Sequence, residues 1–180
     1  MFFTPVNLGK VFSEEDATKL EKLVYGGDYI RNYVDDRNSR TVRKVRGLKE
    51  YSSKLLPIAR EVFNDPTLKG TYNVSLSYDK TSKLAFHKDM NACVYTIDYC
   101  VSSNIDWPLI VEGQEFSIAR GEALAFMGGD DLHGRNSMPD AEDARVEVVM
   151  FHFCPEDHWY FTEGPEYIKV LAERGEIPTY

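Results

Sequence analysis

The chain has 180 residues, 43% of them hydrophobic, and its 29 acidic side chains outnumber 21 basic ones for a net charge of −8. That length supports one domain with a sizeable core, and the acidity argues against a surface that tracks nucleic-acid phosphates. No apolar run is long enough to span a membrane, and Met1-Phe2-Phe3-Thr4-Pro5 lacks the basic region and long apolar stretch of a signal peptide. Cys93, Cys100 and Cys154 stand in apolar or strand contexts without disulfide-framework or zinc-finger spacing, so buried thiols in a reducing cytoplasm are expected.

In chain order, Ser13-Glu14-Glu15-Asp16 opens a helix with a hydroxyl cap and acids in its first turn. Leu20, Leu23 and Val24 give it an apolar face, and Gly26-Gly27 ends it. A basic segment follows, with Arg31, Arg37, Arg40, Arg43, Lys44, Arg46 and Lys49 set against Asp35 and Asp36. A second helix is expected from about Leu48 to Phe63, with Pro57 able to kink it. Tyr72–Tyr78 alternates as a strand, turns at Asp79–Ser82 and enters Leu84–His87. Further strands are read at 92–101, 108–111, 115–118, 123–126 and 145–153, separated by turns such as Glu112-Gly113-Gln114, and a short closing helix at 165–174. Short strands divided by turn signals point to a sandwich or barrel.

The chemistry concentrates at His87-Lys88-Asp89. Strand side chains repeat every two residues, so His87 and Asp89 share a face. A His-X-Asp alone is equally a solvated strand-end pair, but this one sits at the junction of two strands. A distant His133, brought in by a compact β-fold, completes a two-His, one-carboxylate set of the kind that holds Fe(II) and leaves positions open. Arg145 follows at the start of an apolar strand; its plain alternative is a rim arginine paired with Asp143 or Glu147.

The stretch from Tyr72 to Phe153 resembles the core of the Fe(II)/2-oxoglutarate-dependent oxygenases. In that family a His-X-Asp, a distal His and a later Arg occur in this order, here His87, Asp89, His133 and Arg145, and a Gly-Asp-Ala-Leu-like turn, here Gly121–Phe126, precedes the distal His. The resemblance implies a mainly β chain with flanking helices and a double-stranded β-helix (jelly-roll, cupin-like) core. Within one domain, residues 1–70 would supply helices and a lid, 71–154 the core and 155–180 the tail. It implies Fe(II), 2-oxoglutarate and O2, with hydroxylation as the default outcome because Asp89 keeps its carboxylate.

Arg145 would anchor the far carboxylate of 2-oxoglutarate through a planar, two-pronged contact. Glu147, two positions on, departs from the family pattern and would repel that carboxylate if it shared the site, which makes Arg135 the second candidate and Arg120 a third. Tyr78 is placed to contact the co-substrate or to fill the core. The basic segment 28–49 would form a lid whose Arg40, Arg43 and Tyr33 or Tyr29 meet an anionic substrate, or a solvated loop. Trp107 would wall the pocket or the core. The short Ser102–Trp107 connection favours a small amino-acid-like or carboxylate-bearing metabolite, in a monomer or homodimer. The alternatives are a peptide or nucleic-acid substrate, or a cupin-like isomerase or binding protein; cupin-like sites usually draw on three histidines and a glutamate, unlike this cluster.

Overall fold

The structure, a computed structural model, describes residues 3–34, 38–163 and 170. The first strand, β1 (Val6–Lys10), precedes helix α1 (Glu14–Tyr25). Ser13 caps α1 by accepting the Asp16 N–H at 3.2 Å, and its buried residues Ala17, Leu20 and Val24 recur at helical spacing. The basic segment is largely β structure. It folds as a hairpin of β2 (Asp28–Val34) and β3 (Asn38–Lys44), and β3 pairs with the core strand β4 (Lys69–Asp79) through Thr41↔Ser77, Val42↔Leu76 and Arg43↔Ser75. Helix α2 (Leu48–Val62) runs through Pro57 and buries Leu48, Tyr51, Ser52, Leu55 and Ala59.

After β4 come β5 (Lys83–Leu84), β6 (Tyr95–Ser103), β7 (Leu109–Val111), β8 (Gln114–Phe116), β9 (Glu122–Phe126), β10 (His133–Gly134), β11 (Arg145–Cys154) and the short helix α3 (Trp159–Thr162). The expected closing helix at 165–174 lies outside the described residues, Val170 excepted. Between β7 and β8, Glu112 (φ 48°) and Gly113 (φ 78°) are both left-handed, which is the two-residue turn whose twist suits a hairpin.

The large antiparallel sheet has the order β1-β9-β6-β11-β4-β3-β2, with β5 beside β3; the small sheet is β10-β7-β8. Its two faces are chemically distinct. Val149, Phe151 and Phe153 of β11, with Ile97, Tyr99 and Val101 of β6, pack against Leu20, Val24, Tyr51, Leu55 and Ala59 of the helices. The alternate residues, Val146 and Val148 with Val74, Leu76, Tyr78 and Trp107, form a second cluster on the inner face. Leu84, Leu124 and Phe126 of the large sheet pack with Leu109 and Val111 of the small sheet in a third cluster. The candidate site lies between these two clusters, on the large-sheet face turned away from α1 and α2.

Candidate metal centre

Backbone pairing explains how distant residues meet. His87 donates its N–H to the His133 carbonyl at 2.8 Å, and His133 returns one to His87 at 2.9 Å, a single antiparallel bridge. Asp89 is tied to the next bend by its N–H to the Gly128 carbonyl, also at 2.8 Å. Gly134 is required beside this bridge, because a Cβ there would lie 2.8 Å from Phe86 Cα.

Nε2 of His87 and Nε2 of His133 each lie 3.6 Å from Asp89 Oδ1. The far side of each ring is fixed by a carbonyl: His87 Nδ1 is 2.8 Å from the Ala85 oxygen and His133 Nδ1 2.9 Å from the Asp131 oxygen. A carbonyl only accepts, so Nδ1 carries the hydrogen and each Nε2 presents its lone pair inward, the arrangement used to orient metal-binding imidazoles. The Asp131 carboxylate accepts the Met127 N–H at 2.8 Å, which shapes the loop that supplies this carbonyl.

Burial works against the charge of Asp89, but the flanking His133 and His87 outweigh it and hold the carboxyl below the usual carboxylate range. Burial likewise disfavours the His133 imidazolium, and Asp89 more than compensates, so its pKa is raised. Asp89 Oδ2 is buried without a hydrogen-bond partner. A cluster of two lone pairs and an under-satisfied carboxylate fits a divalent cation, and the donor set suits Fe(II).

The adjoining cavity is lined by Arg40, Tyr78, Asp98 and Arg135 as well as by His87, Asp89 and His133, with Leu76, Val148 and Met150 on its apolar wall. Arg135 is 8% exposed; it stacks 4.8 Å from the Trp107 ring, donates to the Trp107 carbonyl, and lies 3.7 Å from Asp98. Trp107 also donates its indole N–H to the Asn136 carbonyl at 2.8 Å and packs edge-on to Tyr78, so it braces the arginine from behind. Burial pushes the Asp98 carboxyl up to about 6, against the downward pull of Arg135.

The structure does not bring Arg145 to this cavity. Arg145 is exposed, at the end of β11, and shares the alternate face with Glu147, away from Val146, Val148 and Met150. Glu147 is fully buried there, accepting from the Ser77 hydroxyl at 2.6 Å with Arg43 at 3.6 Å, and burial raises its pKa. Arg43 thus sits on the Glu147 side of the sheet, while Arg40, on the other face of β3, reaches the cavity. Arg120 is also remote, paired with Glu21 and Glu14. The Tyr29 and Tyr33 side chains lie outside the described residues. Asp98 and His152 were not singled out by the sequence, and Cys93 was read there only as a buried thiol, which it is. Asp98 and His152 could have been found from strand parity, since Thr96 and Asp98 alternate with the helix-facing Ile97 and Tyr99, and His152 continues Val148 and Met150.

A jelly-roll with a two-His, one-carboxylate cluster in its mouth is therefore the class that fold and site define. No family model matches the chain, and no curated protein matches it by sequence. Solved structures match over most of the chain. HygX from Streptomyces hygroscopicus, with nickel, 2-oxoglutarate and hygromycin B bound, has a TM-score of 0.64 at 13% identity over 85% of this chain and 83% of that one. A 2OG-Fe(II) oxygenase family oxidoreductase from Burkholderia pseudomallei has 0.64 at 10% identity over 83% and 84%. SnoK, a non-heme alpha-ketoglutarate-dependent carbocyclase from nogalamycin biosynthesis, has 0.65 at 12% over 85% and 80%. The chain has the fold of Fe(II)/2-oxoglutarate-dependent oxygenases.

Proposed function

We propose that this chain is a non-haem Fe(II)/2-oxoglutarate-dependent oxygenase that hydroxylates a small, carboxylate-bearing or amino-acid-like metabolite, with release of succinate and CO2. The observation that carries the reading is the pair of Nε2 atoms, each 3.6 Å from one oxygen of Asp89, with both Nδ1 atoms pinned by backbone carbonyls. Bound there with 2-oxoglutarate and O2, iron supplies the two-electron oxidation of a substrate C–H bond.

The chain's own residues do the holding and orienting. His87, Asp89 and His133 hold the metal on one side and leave the cavity side open. Arg135, buried and stacked on Trp107, receives the far carboxylate of 2-oxoglutarate in place of Arg145. Tyr78 adds a hydroxyl on the same wall, and Leu76, Val148 and Met150 keep that wall apolar. A guanidinium stacked on an aromatic face is already ordered, so little entropy is lost when it meets the anion.

Arg40 lies at the same cavity on the hairpin and is assigned to an anionic group of the primary substrate. A small substrate agrees with the small-molecule chemistry of the structural neighbours, among them the protein solved with hygromycin B. Replacing His87, Asp89 or His133 by Ala should abolish iron-dependent succinate formation from 2-oxoglutarate while the variants stay folded by circular dichroism. Undiminished turnover in His133→Ala would reject the assignment.

A further inference from the structure

Behind the triad, Cys93 and His152 converge on Asp89. Cys93 Sγ, an imidazole nitrogen of His152 and a carboxylate oxygen of Asp89 all lie within 4.8 Å of one another. Both side chains are buried, His152 with 2% and Cys93 with 3% of its surface exposed. Neither has a part in the proposed oxidation.

Tyr72 organises both groups. Its hydroxyl is 2.8 Å from Cys93 Sγ, and its carbonyl oxygen is 3.1 Å from His152 Nδ1. The carbonyl can only accept, so Nδ1 carries the hydrogen and Nε2 keeps its lone pair, as in His87 and His133. Burial keeps the His152 ring neutral by lowering its pKa. Asp89 divides its two oxygens: Oδ1 is the atom 3.6 Å from each triad imidazole, while Oδ2 is buried with no hydrogen-bond partner. Space beside Oδ2 is kept by Gly128, where a Cβ would come within 2.6 Å of it.

We propose that Asp89 is a bridging carboxylate, and that Cys93, His152 and Asp89 form a second site, for a thiophilic divalent cation such as Zn(II), next to the triad. The inference rests on the triad reading only in that Asp89 is shared. Thiolate and imidazole select a borderline-soft ion, whereas the triad, with no sulfur, suits Fe(II). Burial pushes the Cys93 thiol up, so the resting group is S–H. Binding breaks that bond and forms a metal–sulfur bond: Cys93–SH plus M(II) gives Cys93–S–M(II) and one released proton, with no redox change. The Tyr72 hydroxyl then donates to the bound sulfur. Two cations sharing one carboxylate repel, so filling this site weakens the hold of the triad on its own ion.

Anaerobic loading of the full chain with Co(II), read by metal content and absorbance, tests this. Two Co(II) per chain are expected, with a near-ultraviolet thiolate-to-cobalt band. Cys93→Ser should remove the band and lower the content from two to one; His152→Gln should also lower it to one. Cys100→Ser and Cys154→Ser should change neither readout. His87→Ala should keep the thiolate band while losing the other ion, so failure of the triad and failure of the second site read differently. One Co(II) per chain without the band overturns the proposal. So does a single ion whose band is lost in both Cys93→Ser and His133→Ala, which would mean one mixed site. Should Cys93→Ser not fold, X-ray absorption of cobalt-loaded His133→Ala decides: a Co–S path there supports the second site and its absence overturns it.

Discussion

Arg135 and Arg145 separate two ways of anchoring the same anion. A buried, charge-assisted contact of this kind is worth about 2–5 kcal/mol, so Arg135→Ala should weaken 2-oxoglutarate binding at least about 30-fold. Arg145→Ala, exposed and on the other face, should leave binding within about twofold; calorimetric titration of both variants checks it. Spacing located the strand that carries Arg145 but not which of its faces points inward. Glu147, buried on the face that carries Arg145, is held by Ser77 and Arg43, away from the cavity that Arg135 lines.

Asp98 makes a second residue-scale prediction. Its carboxyl is ordinarily at 3.8 and rises to about 6 in the folded protein, chiefly through burial. Between those values the folded state keeps a proton that the unfolded state has lost, so folding stability falls as pH rises through the window and the penalty is complete above about 6. Asp98→Asn removes that linkage. The slope of unfolding free energy against pH between 4 and 6 should become less negative, by up to about 1.4 kcal/mol per unit. Denaturant titrations of the metal-free protein at several pH values measure it, and an unchanged slope would place the proton elsewhere.

At the scale of elements, the segment expected to form a lid is built as the hairpin of β2 and β3, with Arg40 lining the cavity. Its charge hid it: Arg40, Val42 and Lys44 alternate with Ser39, Thr41 and Arg43, a strand pattern written in cations instead of apolar residues. The two faces divide the work. Arg43→Ala removes the cation beside a fully buried Glu147, leaving Ser77 as its partner, and should destabilise the fold by about 1–3 kcal/mol with little change in turnover. Arg40→Ala should do the opposite, impairing coupled oxidation while sparing the slow, substrate-free decay of 2-oxoglutarate. Equal loss of stability in both would put Arg40 in the fold as well. Helices α1 and α2 and most core strands were legible because apolar periodicity and turn signals agree there, while the short α3 was not read. Strand β1 was not, since Val6–Lys10 is a short edge segment with a bulge between Asn7 and Gly9.

For the whole molecule, the two faces of the large sheet have separate tasks. The large sheet spends one face on α1 and α2 and turns the other toward the small sheet, so its inward polar groups have nowhere to go but the cavity. His87, Asp89 and His133 were readable in the chain because the His-X-Asp parity survives folding, while the pairing that delivers His133 is a single long-range bridge that no local pattern encodes. The central claim is that this cluster binds Fe(II) and 2-oxoglutarate together. Anaerobic titration, followed in the visible region, addresses it most directly. A weak metal-to-ligand charge-transfer band should appear only when both Fe(II) and 2-oxoglutarate are present and should be lost in His133→Ala; no band with both present, or an unchanged band in His133→Ala, would contradict the account.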